Sequence, residues 1–161
     1  MASLDLSNAT RNNSFLNHLW QLAENSIGPL IYSNCQIIGN ASISDRDVEF
    51  LIDTGCTKNM MSRLSVERLN LQSFVDRRTK CQVQGITTTD TETLGMIPYI
   101  EMKFGVHRNI TCASNFLVLD DLSEAIIIGL PFLLFYQVKF DFGRCKMCFM
   151  NNEIDIRVIE K

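Results

Sequence analysis

From Ile31 to the end of the chain, the sequence breaks into short apolar or β-branched runs separated by turn residues, and this spacing restricts the fold more than any other feature. Strands are predicted over 31–39, 47–53, 79–86, 93–104, 110–119, 137–142, 145–150 and 153–159, which makes the domain mostly sheet. Two segments have helical character: 62–69, and 130–136, where Pro131 suits the first turn of a helix. The closing run "EIDIRVIEK" alternates Ile154, Ile156 and Val158 with Asp155, Arg157 and Ile159. A strand at the end of a chain has an open edge that must be paired, covered or charged.

Ahead of this region the pattern differs. Residues 1–13 are polar and rich in Asn and Ser, a composition that buries too little surface to order itself. Phe15, Leu16, Leu19, Trp20 and Ala23 then recur at helical spacing behind Ser14, a suitable N-cap, until Gly28-Pro29 ends the run. The expectation is an N-terminal extension over 1–29 with a short amphipathic helix, followed by an all-β domain over 30–161. The apolar stripe of that helix needs a surface, supplied by the main domain, by a partner, or by a segment lost when a longer precursor is cut.

The chain has 161 residues, 46% apolar and 20% charged, the make-up of one folded domain. A net charge of −3 with no dense Lys/Arg cluster argues against a nucleic-acid partner. The first ten residues show no secretory signal, and no apolar run approaches membrane-spanning length, so a soluble, intracellular protein with no membrane partner is expected. Reduced thiols are then the expectation for the six cysteines, at 35, 56, 81, 112, 145 and 148. Cys145 and Cys148 form a CxxC, but there is no second pair and both histidines are distant in sequence, so no metal site is expected; two thiols on opposite faces of one strand is the simpler reading. The glycosylation-type matches at Asn8, Asn12, Asn40 and Asn109 carry no weight without a secretory route.

The chemistry centres on "FLIDTGCT", residues 50–57, where an apolar strand runs into Asp53-Thr54-Gly55. An Asp there can simply cap its own turn. A second stretch, Ala125 to Leu133, strengthens the signal: an intensely apolar strand, Ile126-Ile127-Ile128, stops at Gly129 and gives way to a short helix. In this order and spacing the sequence resembles the retropepsins, the retroviral-type aspartic proteases, and among them those of Ty3/gypsy-like long-terminal-repeat retrotransposons. Leu51-Ile52-Asp53-Thr54-Gly55-Cys56 corresponds to the family's apolar-apolar-Asp-Thr/Ser-Gly-Ala, with Cys in place of the usual Ala. Gly85 to Gly95 corresponds to the flap, although "TTTDTET" replaces the usual glycine-rich tip, and Ile127-Ile128-Gly129 to the apolar-apolar-Gly that precedes the helix.

The resemblance implies a closed β-barrel of the acid protease fold, with one short helix in its C-terminal half. It implies that Asp53 is catalytic, that Thr54 hydrogen-bonds across a dimer, that Gly55 allows close backbone approach, and that Ile127, Ile128 and Gly129 pack behind the catalytic loop. Gly85, Ile86 and Thr87 would belong to a flap over an extended peptide bound by strand addition. Interleaved chain ends would hold the dimer and supply the edge partner for 153–159.

The chemistry also demands a pair. Hydrolysis of a peptide by carboxyl groups needs one to take a proton from water and another to give one, and two carboxyls held together cannot both ionise. The chain has a single D-[ST]-G, since "DFG" at 141–143 lacks the hydroxyl, so a second copy is the economical source of the partner. The expectation is a homodimeric aspartic endopeptidase, without metal or organic cofactor, that processes its own polyprotein in the cytoplasm within virus-like particles. Two alternatives stand beside it: the retropepsin-like domain of a ubiquitin-shuttle protein of the Ddi1 type, because "DTGCTKNMMS" is similar to the "DSG…MS" run of those proteins, and a non-catalytic dimerisation module of the same fold.

Overall fold

The protein is seen in a computed structural model that describes residues 16–17, 29–38, 46–78, 82–84 and 90–160. β1 (Pro29–Ile37) and β2 (Arg46–Ile52) form an antiparallel pair with Tyr32 opposite Leu51 and Ile31 opposite Ile52. β2 runs parallel to β8 (Ile126–Ile128), which lies antiparallel to β3 (Met60–Ser62). β3 in turn runs parallel to β7 (Ile110–Leu119), and β7 pairs with β6 (Gly95–Phe104). β6 returns to β1 through Gln36↔Lys103 and Ile37↔Met102. The circuit β1-β2-β8-β3-β7-β6 therefore closes into a six-stranded barrel, and β12 (Arg157–Glu160) adds a further strand beyond β1.

Alternation along each strand sends successive side chains to opposite faces. Cys35, Ile37, Phe50, Ile52, Met61, Ile97, Phe116, Val118, Ile126 and Ile128 fall in one buried cluster that fills the barrel. Two short helices, α1 (Arg63–Arg68) and α2 (Leu130–Phe135), send Val66, Phe132 and Leu133 into it. A small antiparallel sheet of β9 (Lys139–Asp141), β10 (Lys146–Phe149) and β11 (Asn152–Asp155) adds Met147, Phe149 and Ile154. Phe104 ties these layers together. Its ring meets Phe50, Phe132 and Phe149 at centroid distances of 5.8, 5.9 and 5.4 Å, edge-to-face with Phe50 and Phe149. Burying each such ring contributes about 1.5–3 kcal/mol.

The predominantly β barrel matches the expectation from the sequence, and the strand predicted over 110–119 coincides with β7. α1 and α2 fall within the two helical segments anticipated. Elsewhere the structure differs. The run 153–159 is two strands: β11 ends at Asp155 and β12 begins at Arg157, with the buried Ile156 between them donating its N–H to the Cys145 carbonyl at 3.1 Å. β12 finds its partner in its own chain, with Leu30↔Ile159 and Tyr32↔Arg157, and an Arg157–Glu49 ion pair ties it to β2 as well. One edge of the terminal strand is thus filled without a second copy. Cys145 has a φ of 52° and precedes β10, so it does not share a strand with Cys148. Of the segment expected to form an N-terminal helix, only Leu16 and Asn17, both helical, lie among the described residues, and the rest of that expectation falls outside them. Within the predicted strand 79–86, β4 (Gln82–Gln84) is described, paired with β5 (Asp90–Glu92).

Candidate active site

The apolar end of β2 carries Asp53 to the rim of the barrel. Its N–H donates to the Ile128 carbonyl at 3.0 Å, extending the parallel β2–β8 pairing one residue past the strand. The chain then turns at once: Cys56 N–H donates to the Asp53 carbonyl at 3.1 Å, and Gly55 N–H donates to Asp53 Oδ1 at 2.9 Å. The carboxyl is therefore aimed by its own backbone while remaining half-exposed. Asp53 does cap its turn, as a purely structural Asp would. A Cβ at Gly55 would sit 3.2 Å from Asp53 Oδ1, so a side chain there would crowd the carboxyl.

β8 and the start of α2 support this loop. Leu130 N–H donates to the Cys56 carbonyl at 2.8 Å. That approach requires glycine at 129, where a Cβ would lie 2.5 Å from the Cys56 oxygen and 2.6 Å from the Lys58 oxygen. Ile127 and Ile128 are buried on opposite faces of β8, in the outer and inner clusters respectively.

Asn59, which the sequence reading did not single out, completes the loop. It is 1% exposed. Its Oδ1 accepts from Gly129 N–H at 2.9 Å, its Nδ2 donates to Ser114 Oγ at 2.6 Å and to the Asn115 carbonyl at 3.3 Å, and its own carbonyl accepts from Leu117 N–H at 2.9 Å. One residue thus joins the carboxylate loop to β7 and to the junction of β8 and α2. The sequence signal was weak: a lone polar residue between Lys58 and the apolar pair Met60-Met61.

Thr54 is exposed at the tip of the turn. The half-buried Cys56 thiol is pushed above its ordinary value, chiefly by burial and in lesser part by the Asp53 charge, with a backbone hydrogen bond from Lys58 opposing. Gly85, Ile86 and Thr87 lie outside the described residues, and β4 and β5 flank them with Gln84 opposite Asp90.

The barrel's outer wall beside Asp53 is apolar. Leu51, two residues before Asp53 and so on the same face, joins Tyr32, Met60, Leu117, Leu119 and Ile127 in a second buried cluster. Leu30, Cys56, Met96, Leu122 and Ile159 pack around it.

Among known proteins, the family model for aspartyl proteases matches residues 29–141, more than half of the chain. No curated protein sequence matches it. Among solved structures, the retroviral protease-like domain of Ddi1 from Leishmania major is similar at 20% identity, with a TM-score of 0.62 over 80% of this chain and 93% of that one. A retropepsin-like aspartic protease from Rickettsia conorii matches at 10% identity, with a TM-score of 0.43 over 83% of this chain and 92% of that one. With the Asp-Thr-Gly turn seated on a closed barrel and the family model spanning both halves of that turn's support, the chain belongs to the aspartyl protease family, and its fold is similar to that of the retroviral protease-like domain.

Proposed function

We propose that the protein is an aspartic endopeptidase active as a homodimer, each subunit supplying one Asp53. The observation that carries this reading is the Asp53 carboxyl itself: half-exposed, aimed by Gly55 N–H, and seated at the rim of the barrel by its backbone bond to Ile128. In the dimer the two carboxyls share one proton and titrate as a unit. The ionised member takes a proton from a water held between them, that water attacks the scissile carbonyl, and the protonated member gives its proton to the substrate. No covalent intermediate forms. Thr54 bonds across the dimer and steadies both loops, while Ile127, Ile128 and Gly129 hold each loop from behind. Gly85, Ile86 and Thr87 close over the substrate, which adds as a strand.

Within this chemistry the substrate is the polyprotein of a retroelement, including the junctions that flank the protease, cut in the cytoplasm within virus-like particles. The ubiquitin-shuttle alternative uses the same site and differs in gene context; reverse transcriptase sequence directly downstream decides for the retroelement. Asp53→Asn should lower cleavage of a peptide library by about 10²–10⁴-fold, the usual share of acid–base catalysis, while the unfolding transition stays in place. Cleavage that survives the substitution would refute the assignment, and a wild-type chain that binds extended peptides without cutting them would point to a non-catalytic module.

A further inference from the structure

β8, the strand that seats Asp53, is three residues long and meets β2 in two pairs only, Leu51↔Ile127 and Ile52↔Ile128. A ladder of so few bonds resists displacement weakly, so the strand's place depends on what holds its two ends. Asn59 holds the far end through Gly129 N–H. At the near end, Ser62 N–H donates to the Ala125 carbonyl at 2.9 Å, and one residue earlier Glu124 Oε1 accepts from the Tyr32 hydroxyl at 2.7 Å.

The Tyr32–Glu124 bond spans the strand that carries the acid. Tyr32 stands on β1 opposite Leu51, with β2 between it and β8, and Tyr32, Leu51 and Ile127 share the barrel's outer face. Tyr32 is 3% exposed, so its ring is held by packing. Glu124 belongs to the loop 120–125 that joins β7 to β8, and Leu122 of that loop packs on the same cluster. The loop's other side-chain tie, Arg63 Nε to Asp120 Oδ1 at 2.8 Å, joins two groups more than half exposed and restrains it little. A hydroxyl rooted in a buried ring is the firmer anchor.

We infer that Tyr32 and Glu124 are positioning residues for Asp53: their bond is a latch across β2 that fixes where β8 begins, and with it the Ile128 carbonyl that accepts from Asp53 N–H. The consequence for cleavage rests on the protease reading, whereas the placement of Asp53 does not. When the latch is cut, β8 drifts against β2 and the carboxyl loses its aim, so the loss falls on turnover and leaves peptide binding in place.

Tyr32→Phe removes the hydroxyl and keeps the ring in the wall, and Glu124→Ala cuts the same bond from the loop, so either variant that folds serves the test. In the full chain each should lower kcat for a fluorogenic peptide by about 10–10²-fold with KM within about twofold. The double variant should be no slower than the slower single one, since both remove one bond. Glu124→Gln, which retains an acceptor oxygen, should recover most of what Glu124→Ala loses. Amide exchange followed by NMR reads the latch without activity: in Tyr32→Phe the Asp53 amide should exchange about tenfold faster, while the Leu117 amide, bonded to the Asn59 carbonyl, stays as it was. Unchanged kcat, a loss carried by KM, losses that multiply in the double variant, or equal acceleration of both amides each overturn the proposal. If the Asp53 amide responds alone while no chain cuts peptide, the latch stands and the protease reading fails.

Discussion

The Asn59 amide satisfies groups on β7 and at the junction of β8 and α2, so its loss unsettles the loop that carries Asp53 from below. Asn59→Ala leaves Gly129 N–H without its acceptor in a buried position and should cost about 2–3 kcal/mol, read as a fall of roughly 5–10 °C in Tm. Gly129→Ala acts on the same loop by collision: its Cβ would press on the backbone oxygens of Cys56 and Lys58, which cannot swing aside as a side-chain tip would. A displacement near 1 Å should lower kcat by about 10²-fold, more than the accompanying stability loss explains. Asp53, Gly55 and Gly129 were legible from motif and spacing. Asn59 was not, because its role depends on residues 114–117 and 129, which only the folded chain brings to it.

Strand existence was easier to read than strand partnership. β7 was legible from its length and alternation, whereas β3, three residues long, has too few positions to establish a period. The "MMS" similarity to shuttle-type proteins gains a structural account at this level: Met61 fills the barrel, and Ser62 caps α1 by accepting from Ser65 N–H at 3.1 Å. The split of 153–159 also sharpens what a truncation reports. Removing 153–161 would take away Ile154 and Ile156, both buried in the main core, and so test folding more than assembly. Removing 157–161 keeps both. That shorter deletion should cost about 2–3 kcal/mol for the lost ladder and the partly buried Ile159, keep a cooperative unfolding transition, and abolish peptide cleavage. Full activity in the 156-residue chain would exclude β12 from the working assembly.

Closure of the barrel belongs to the molecule as a whole, and nothing local to Ile37 announces Met102 as its partner. The same closure seals two thiols, with consequences for the pH dependence of stability. Burial pushes the Cys112 thiol up from 9.0 to about 11, against an opposing hydrogen bond from Tyr136, and pushes Cys35 further in the same direction, against the Arg108 charge. In the unfolded chain both ionise near the ordinary value, so unfolding releases protons at alkaline pH. Their contribution is whole below about pH 9 and is lost as pH rises, with a slope of about 1.4 kcal/mol per pH unit for each thiol. Urea midpoints should decline above about pH 9, and Cys112→Ala should flatten that decline up to about pH 11.

The hydrogen bond from Asp53 to Ile128 joins two parts of the chain that leave the ribosome far apart in time. Until Gly129 has emerged and β8 has slotted beside β2, the acid group has no seat and the turn around it no floor. A nascent polypeptide that already displays Asp-Thr-Gly therefore holds that turn without its support until residue 129 has been made, and the order of synthesis fixes when the loop can first be seated.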